Sequence, residues 1–194
     1  TGAMKVIVYL PSVITAASVS VLFKSLFSQY GPITQTLKDW GVLGKNFDFM
    51  SSVAGSRGLI STILWWMWFG NTTILLMAGM MGIDTSLFEA AEVDGATSTQ
   101  VFYKITLPLL RPILVYVVIT SLIGGLQLFD VPQILTNGTG DPMRSTMTLI
   151  MFLNKHLYSK NYGMAGAVSV ILFIITAILS LIVFKVTGND KRKA

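Results

Sequence analysis

The side chains able to do chemistry in this sequence are few, and most interrupt apolar runs. His156 is the one histidine and there is no cysteine, so no second imidazole or thiolate can complete a metal site beside it. It adjoins Lys155 in a polar connection and reads as a solvated loop residue. No G-x-x-x-x-G-K-[ST] stretch occurs that could cradle a nucleotide phosphate. The groups that stand out are Asn71, Gln127 and Asp130, together with Trp65, Trp66 and Trp68. An aspartate at the centre of a membrane helix costs about 2.5–3.5 kcal/mol on insertion scales. Asp130 is therefore expected to face a bundle interior or a watery cavity. The other reading places it near the end of its span, where the Phe129-Asp130-Val131-Pro132 break relieves the cost. The tryptophans fit a lipid-facing belt, helix packing or an internal path, and such closely spaced indoles cannot all face one pore. Asn71 and Gln127 equally fit bonds to neighbouring helices.

Composition says which elements must position these groups. The 194 residues are 53% hydrophobic and 12% charged, with mean hydropathy +0.68. A soluble domain carries about 25% charged residues, which argues against a soluble enzyme or a disordered chain. Four stretches lack Asp, Glu, Lys and Arg altogether: Val6–Phe23, Gly58–Ile83, Pro112–Phe129 and Asn161–Phe184. Each approaches the roughly 20 residues that cross a bilayer as a helix. The expectation is an all-α membrane protein, one transmembrane domain over 1–194, with spans at about 6–27, 58–81, 112–135 and 163–186. Pro11 falls inside the first span and is tolerated where neighbours satisfy the freed carbonyl.

The connections carry their own signals. Tyr30-Gly31-Pro32 marks a turn, and Ile33, Leu37 and Trp40 then recur at helical spacing. This connection is expected to lie at a membrane surface, with Trp40, Phe47 and Phe49 as interfacial anchors. Met147–Leu153 is too short to span and reads as an interfacial or buried helix. The net charge of +5 is spread over loops, apart from Lys191-Arg192-Lys193. That tail reads as a membrane-face anchor rather than a nucleic-acid arm. With both termini on one side, basic residues divide almost evenly between the two faces, so the positive-inside tendency leaves the orientation open.

The connection Asp84–Pro112 is the most informative. Asp84, Thr85 or Ser86 can cap a helix, with Glu89 and Glu92 near the positive end of its dipole. Gly95 fits the residue past its end, with positive φ. Thr97 or Ser98 can cap a second helix, on which Val101, Phe102, Ile105 and Leu109 share a face, and Pro108 and Pro112 are expected to break it before the third span. Such a helical hairpin either docks into a groove on a soluble partner or merely links two spans.

Here the residues resemble a known family. Glu89-Ala90-Ala91-x-x-Asp94-Gly95-Ala96, followed by Phe102, Ile105, Leu107, Pro108, Leu110 and Pro112, resembles the EAA signature of ABC-importer permeases, in its sugar-importer form. Phe129-Asp130, then Leu135-Thr136-x-Gly138-x-Gly140-x-Pro142, is similar to the segment after that loop in the maltose/glycerol-phosphate-type first permease. Tyr9-Leu10-Pro11 resembles that family's third span. The resemblance covers essentially the whole chain. It implies a type I ABC-importer transmembrane domain of six spans, of which four are expected here, the two amino-terminal ones being absent through truncation or a partial gene.

The resemblance also implies roles. The 84–111 loop would be a cytoplasmic coupling helix seated in a cleft of an ATPase subunit. Glu89 would make polar contacts there, Ala90 and Ala91 would allow close approach, and Gly95 would turn the chain. Asp94, Ala96, Phe102, Leu107 and Pro108 complete the coupling set. Trp65, Asn71, Gln127 and Asp130 become candidates for the substrate path, since indole faces stack on sugar C–H faces while amides and carboxylates bond hydroxyls. The implied partners are a second homologous permease, two ATP-binding cassette ATPase subunits, an external or periplasmic sugar-binding protein and membrane lipid, with no nucleic acid. No cofactor is expected on this chain, and ATP hydrolysis is expected on a partner. The implied location is the bacterial inner (plasma) membrane, with the carboxyl tail cytoplasmic. Polyol, glycerol phosphate or peptide are the alternative cargoes. An ATPase-independent channel or secondary transporter is the rival class, and it would require intramembrane ionisable relays of which only Asp130 is a candidate.

Overall fold

The computed structural model describes the backbone of residues 2–188 and the side chains of residues 6–186. Among these residues the secondary structure is entirely helical. The helices are α1 (Gly2–Val13), α2 (Ala16–Phe27), α3 (Pro32–Asp39), α4 (Val53–Met81), α5 (Thr85–Val93), α6 (Ser98–Val101), α7 (Leu107–Leu126), α8 (Asp130–Leu135), α9 (Leu149–Tyr158) and α10 (Tyr162–Gly188). A π-helical turn, Phe102–Thr106, joins α6 to α7.

Side-chain caps start most of them. Thr15 accepts a bond from the Ser18 amide, Ser52 from Gly55 and Thr148 from Met151. Each satisfies one of the amides a helix start leaves unpaired. Pro32 opens α3, where its missing N–H costs nothing.

Three helical stretches are long and apolar enough to cross a membrane: Val53–Met81, Ser98–Leu135 and Tyr162–Val186. The first expected span is different. The chain bends by 94° between α1 and α2. Thr15 adopts an extended backbone and caps a new helix instead of continuing the old one. A single straight helix over 6–27 is therefore replaced by a broken pair.

The expected end of the loop's second helix is also corrected. Pro108 and Pro112 do not stop it; both lie inside α7, which the chain enters directly from α6 through the π turn. There the Leu107 amide bonds back to the Phe102 carbonyl, five residues earlier. The wider turn lies just where Pro108 has no amide to donate, so helical bonding passes the proline.

In the packing, α1 lies along α4, α2 rests on α8, α7 lies between α4 and α10, and α9 abuts α10. The buried core gathers Val19 from α2, Leu59, Ile60 and Ile63 from α4, and Val131 and Leu135 from α8. Aromatic rings close it: Phe23 stands 5.7 Å from Phe27 and 5.8 Å from Trp66, and Phe27 meets Phe49 edge-on at 5.2 Å. Phe49 is thus a packing residue of this core rather than an interfacial anchor. Its partner Phe47 packs on it at 5.0 Å, while Trp40 is 74% exposed.

Candidate functional site

Two features outside the core gather the residues singled out above. The first is an open cavity of about 700 Å³ between α4, α7 and the Gln127–Val131 turn. On α4 the lining residues Trp65, Trp68, Thr72 and Leu75 follow one stripe at helical spacing, with Asn71 beside it. Trp66 falls on the opposite side and packs against Phe23 in the core. The helical repeat therefore separates the indoles: Trp65 and Trp68 face the cavity, and Trp66 does not.

On α7 the stripe is Tyr116, Thr120 and Gly124, three residues four apart. The Thr120 hydroxyl is bonded back to the Tyr116 carbonyl at 2.8 Å, so it remains available mainly as an acceptor. Gln127 caps the carboxyl end of α7, and Asp130 stands in the first turn of α8. Both line the cavity, and both are exposed to it. Asp130 thus combines the two alternatives: it faces an open space, and it does so at a helix break. The cavity brings together all four expected path residues, Trp65, Asn71, Gln127 and Asp130. Trp68, Tyr116 and Thr120 join them. The four-residue spacing of Tyr116, Thr120 and Gly124 was the available signal for that second wall.

The second feature is the helical hairpin after α4. The Asp84 carboxylate caps α5 by accepting from the Ser86 amide at 3.0 Å. That backbone bond, with one from the Ser86 side chain, holds its pKa below the ordinary carboxylate value. At the other end Gly95 takes φ +70°. The Ala96 amide bonds to the Ala91 carbonyl at 2.9 Å, and the Gly95 amide to that of Glu92 at 3.0 Å. This paired closure is the Schellman motif, and it needs a left-handed residue at Gly95. Thr97 and Gln100 then form a reciprocal capping box, with bonds of 3.3 and 2.8 Å.

Of the signature residues Ala91 and Leu110 are buried; Glu89, Ala90, Asp94, Gly95, Phe102, Pro108 and Pro112 are exposed, and Ala96, Ile105 and Leu107 are half-buried. The hairpin also exposes Leu87, Val93 and Tyr103, Val93 to 89%. Phe102 and Tyr103 meet edge-on at 5.2 Å on the π turn. An apolar helical projection, capped at both ends of α5 and at the start of α6, is thus held outside the bundle. Helical spacing in the sequence already places Leu87 and Val93 on the apolar side of α5 and Phe102 on that of the second helix; Tyr103 carries no such signal, because an apolar residue reads as core until packing shows otherwise.

An all-helical bundle with three stretches able to cross a membrane, an open cavity edged by a few polar groups and a projecting helical hairpin is the architecture of a polytopic membrane protein. The match to known proteins is specific. The family model described as "Binding-protein-dependent transport system inner membrane component" matches residues 1–188, and the chain belongs to that family. It is 34% identical over 98% of its length to the lactose transport system permease protein LacF of Rhizobium radiobacter, covering 65% of that protein. It is 30% identical over 97% of its length to the probable ABC transporter permease protein YesP of Bacillus subtilis (strain 168), covering 61%. The chain thus spans somewhat under two thirds of the curated relatives it matches. A crystal structure of a bacterial alginate ABC transporter, in complex with alginate pentasaccharide-bound periplasmic protein, shares the fold. Its TM-score is 0.80 at 24% identity, over 94% of this chain and 63% of that one. The expected all-α ABC-importer permease fold therefore holds.

Proposed function

We propose that this chain forms the membrane-embedded path of an ATP-driven importer for a sugar or oligosaccharide delivered by an external binding protein. The observation that carries the cargo class is the convergence of Trp65, Trp68, Asn71, Gln127 and Asp130 on one cavity. Indole faces offer a flat apolar surface to sugar rings, while amides and a carboxylate orient hydroxyls. No lysine or arginine stands among the lining residues, and one carboxylate does, so the field opposes a phosphate cargo. The lactose and arabinooligosaccharide permeases among its relatives support the same class.

The exposed hairpin is the coupling element. In this reading it faces the cytoplasm, with the carboxyl tail on the same side; Lys191–Lys193 lie outside the described residues. Glu89 and the small Ala90 meet a cleft on an ATPase subunit, with Val93 and Phe102 as apolar contacts. Gly95 holds the two helices at a fixed angle, so a push on α5 passes through the π turn into α7. ATP is bound and hydrolysed on two partner ATPase subunits, and a second, related permease completes the path in the bacterial inner membrane.

The test is copurification and uptake. The full-length subunit is expressed with its second permease, ATPase and binding protein, as wild type and as Glu89→Lys and Gly95→Pro. Loss of ATPase association or sugar uptake in the variants, with membrane insertion retained, supports the assignment. An ATPase that never binds, with the variants behaving as wild type, leaves the hairpin as a mere connection and ends this reading.

A further inference from the structure

Lys24 is the charged side chain of α2, one turn from its carboxyl end. A lysine on an apolar helix is costly unless its ammonium finds acceptors. Lys24 is half-buried, and its Nζ donates to the Ile134 carbonyl at 2.9 Å and to Asn137 Oδ1 at 2.6 Å. Both acceptors lie more than a hundred residues away, at the carboxyl end of α8.

That end of α8 is where a cation acts most strongly. The last carbonyls of a helix carry partial negative charge and lack helical partners. Ile134 O is one of them; it also receives the Thr136 amide that closes the helix. Asn137 follows with φ +51°, a conformation that side-chain bonding helps to hold. Lys24 therefore caps α8 from another helix and pins the second residue of the turn beyond it.

The other end of α8 is the cavity wall. Asp130 and Val131 begin it and line the cavity, about 6 Å along the axis from Ile134 at helical rise. A rod this short transmits any shift at one end to the other. One further bond secures its amino-terminal flank: the Thr148 hydroxyl donates to the Leu128 carbonyl at 2.6 Å. The wall bearing Asp130 is thus tied at both ends by donors outside it, and of these two Lys24 is the charged one.

We propose that Lys24 is a positioning residue for translocation: its ammonium locks the carboxyl end of α8 and so holds Asp130 and Val131 in the cavity wall. This rests on the function proposed above, and the test separates the two.

The first readout needs no transport. Residues 1–194 contain no cysteine, and Val131 is 1% exposed. A thiol placed by Val131→Cys in the full-length subunit, within the assembled transporter and with any cysteines elsewhere replaced, is labelled with an aqueous maleimide. Losing a bond to a charged group should speed labelling about tenfold in Lys24→Met, and Lys24→Arg should return it to within about twofold. The second readout is sugar uptake without the added thiol. Lys24→Met is expected to lower the maximal rate about tenfold with KM within about twofold, and Lys24→Arg to recover most of it. Should Lys24→Met fail to insert, Asn137→Ala removes one acceptor and keeps the charge, with about threefold faster labelling expected. Unchanged labelling, an arginine variant no better than methionine, or wild-type uptake in Lys24→Met overturns the proposal. A wild-type transporter that labels as expected but moves no sugar overturns the proposed function and leaves the Lys24 lock standing.

Discussion

Gly70 of α4 lies against the backbone of Tyr9 in α1. A Cβ built on Gly70 would stand 2.9 Å from the Tyr9 Cα and would collide with the Val8 carbonyl oxygen. Two helices meet backbone to backbone there, the kind of approach that small residues permit in membrane bundles. Backbone cannot move aside as a flexible side chain can. Gly70→Val is therefore expected to destabilise the bundle by about 1–3 kcal/mol through overpacking. The check is the thermal unfolding midpoint in detergent. An unchanged midpoint would mean that α1 does not pack on α4 in this way.

Trp65 and Trp66 are neighbours with opposite surroundings. Trp65 is 65% exposed and lines the cavity, whereas Trp66 packs on Phe23. Trp65→Ala should insert and assemble normally while sugar uptake falls about tenfold, since an aromatic contact and its desolvation are lost. Trp66→Ala should instead lower stability by up to about 3 kcal/mol, because it leaves a void in the aromatic core. Uptake and unfolding measured on both variants decide the matter. Equal effects on both quantities would sink the division.

Gly95 has open space around its missing side chain, so only its φ of +70° demands glycine. An L-residue held there costs about 1–2 kcal/mol. Gly95→Ala should weaken ATPase association measurably, and Gly95→Asn less so, because asparagine tolerates the left-handed region. Titrating the ATPase against each variant in detergent gives the order. An alanine variant that binds like wild type would show that the turn is not part of the interface.

Asp84 gives α5 a pH dependence. Its folded pKa is lowered, by the Ser86 amide bond first and the Ser86 side-chain bond second. The ionised cap therefore stabilises α5 fully above the ordinary carboxylate value, and this contribution is lost as pH falls through the lowered value. Protection of the Ser86 amide against hydrogen exchange, taken relative to the intrinsic rate at each pH, should fall in that acid window. Asp84→Asn, which keeps an acceptor without a charge, should remove the dependence. A variant that retains the full acid step would place its origin elsewhere.

Much of the hairpin was legible because its bonds are local. Asp84 reaches Ser86, Thr97 reaches Gln100, and Gly95 closes on Glu92. Each is a relation over two or three residues, so residue type and spacing suffice to predict it. The prolines misled for an equally local reason. Pro108 and Pro112 normally end helices, but the π turn at Phe102–Thr106 rearranges the bonding ahead of Pro108. Nothing in residue type announces that wider turn.

The sequence by itself determined the helical class, the apolar stretches and the capped hairpin, because charge-free length and short-range hydrogen bonding are properties of the chain alone. Tertiary structure decided the 94° bend between α1 and α2, the choice of Trp65 and Trp68 over Trp66 for the cavity, and the place of Asp130 in its wall. It also decided the grip of Lys24 on Ile134 and Asn137. Those outcomes depend on which helices meet. A helix alone presents every face to its surroundings, and only a neighbour such as Phe23 against Trp66, or α8 against α2, makes one face core and another wall.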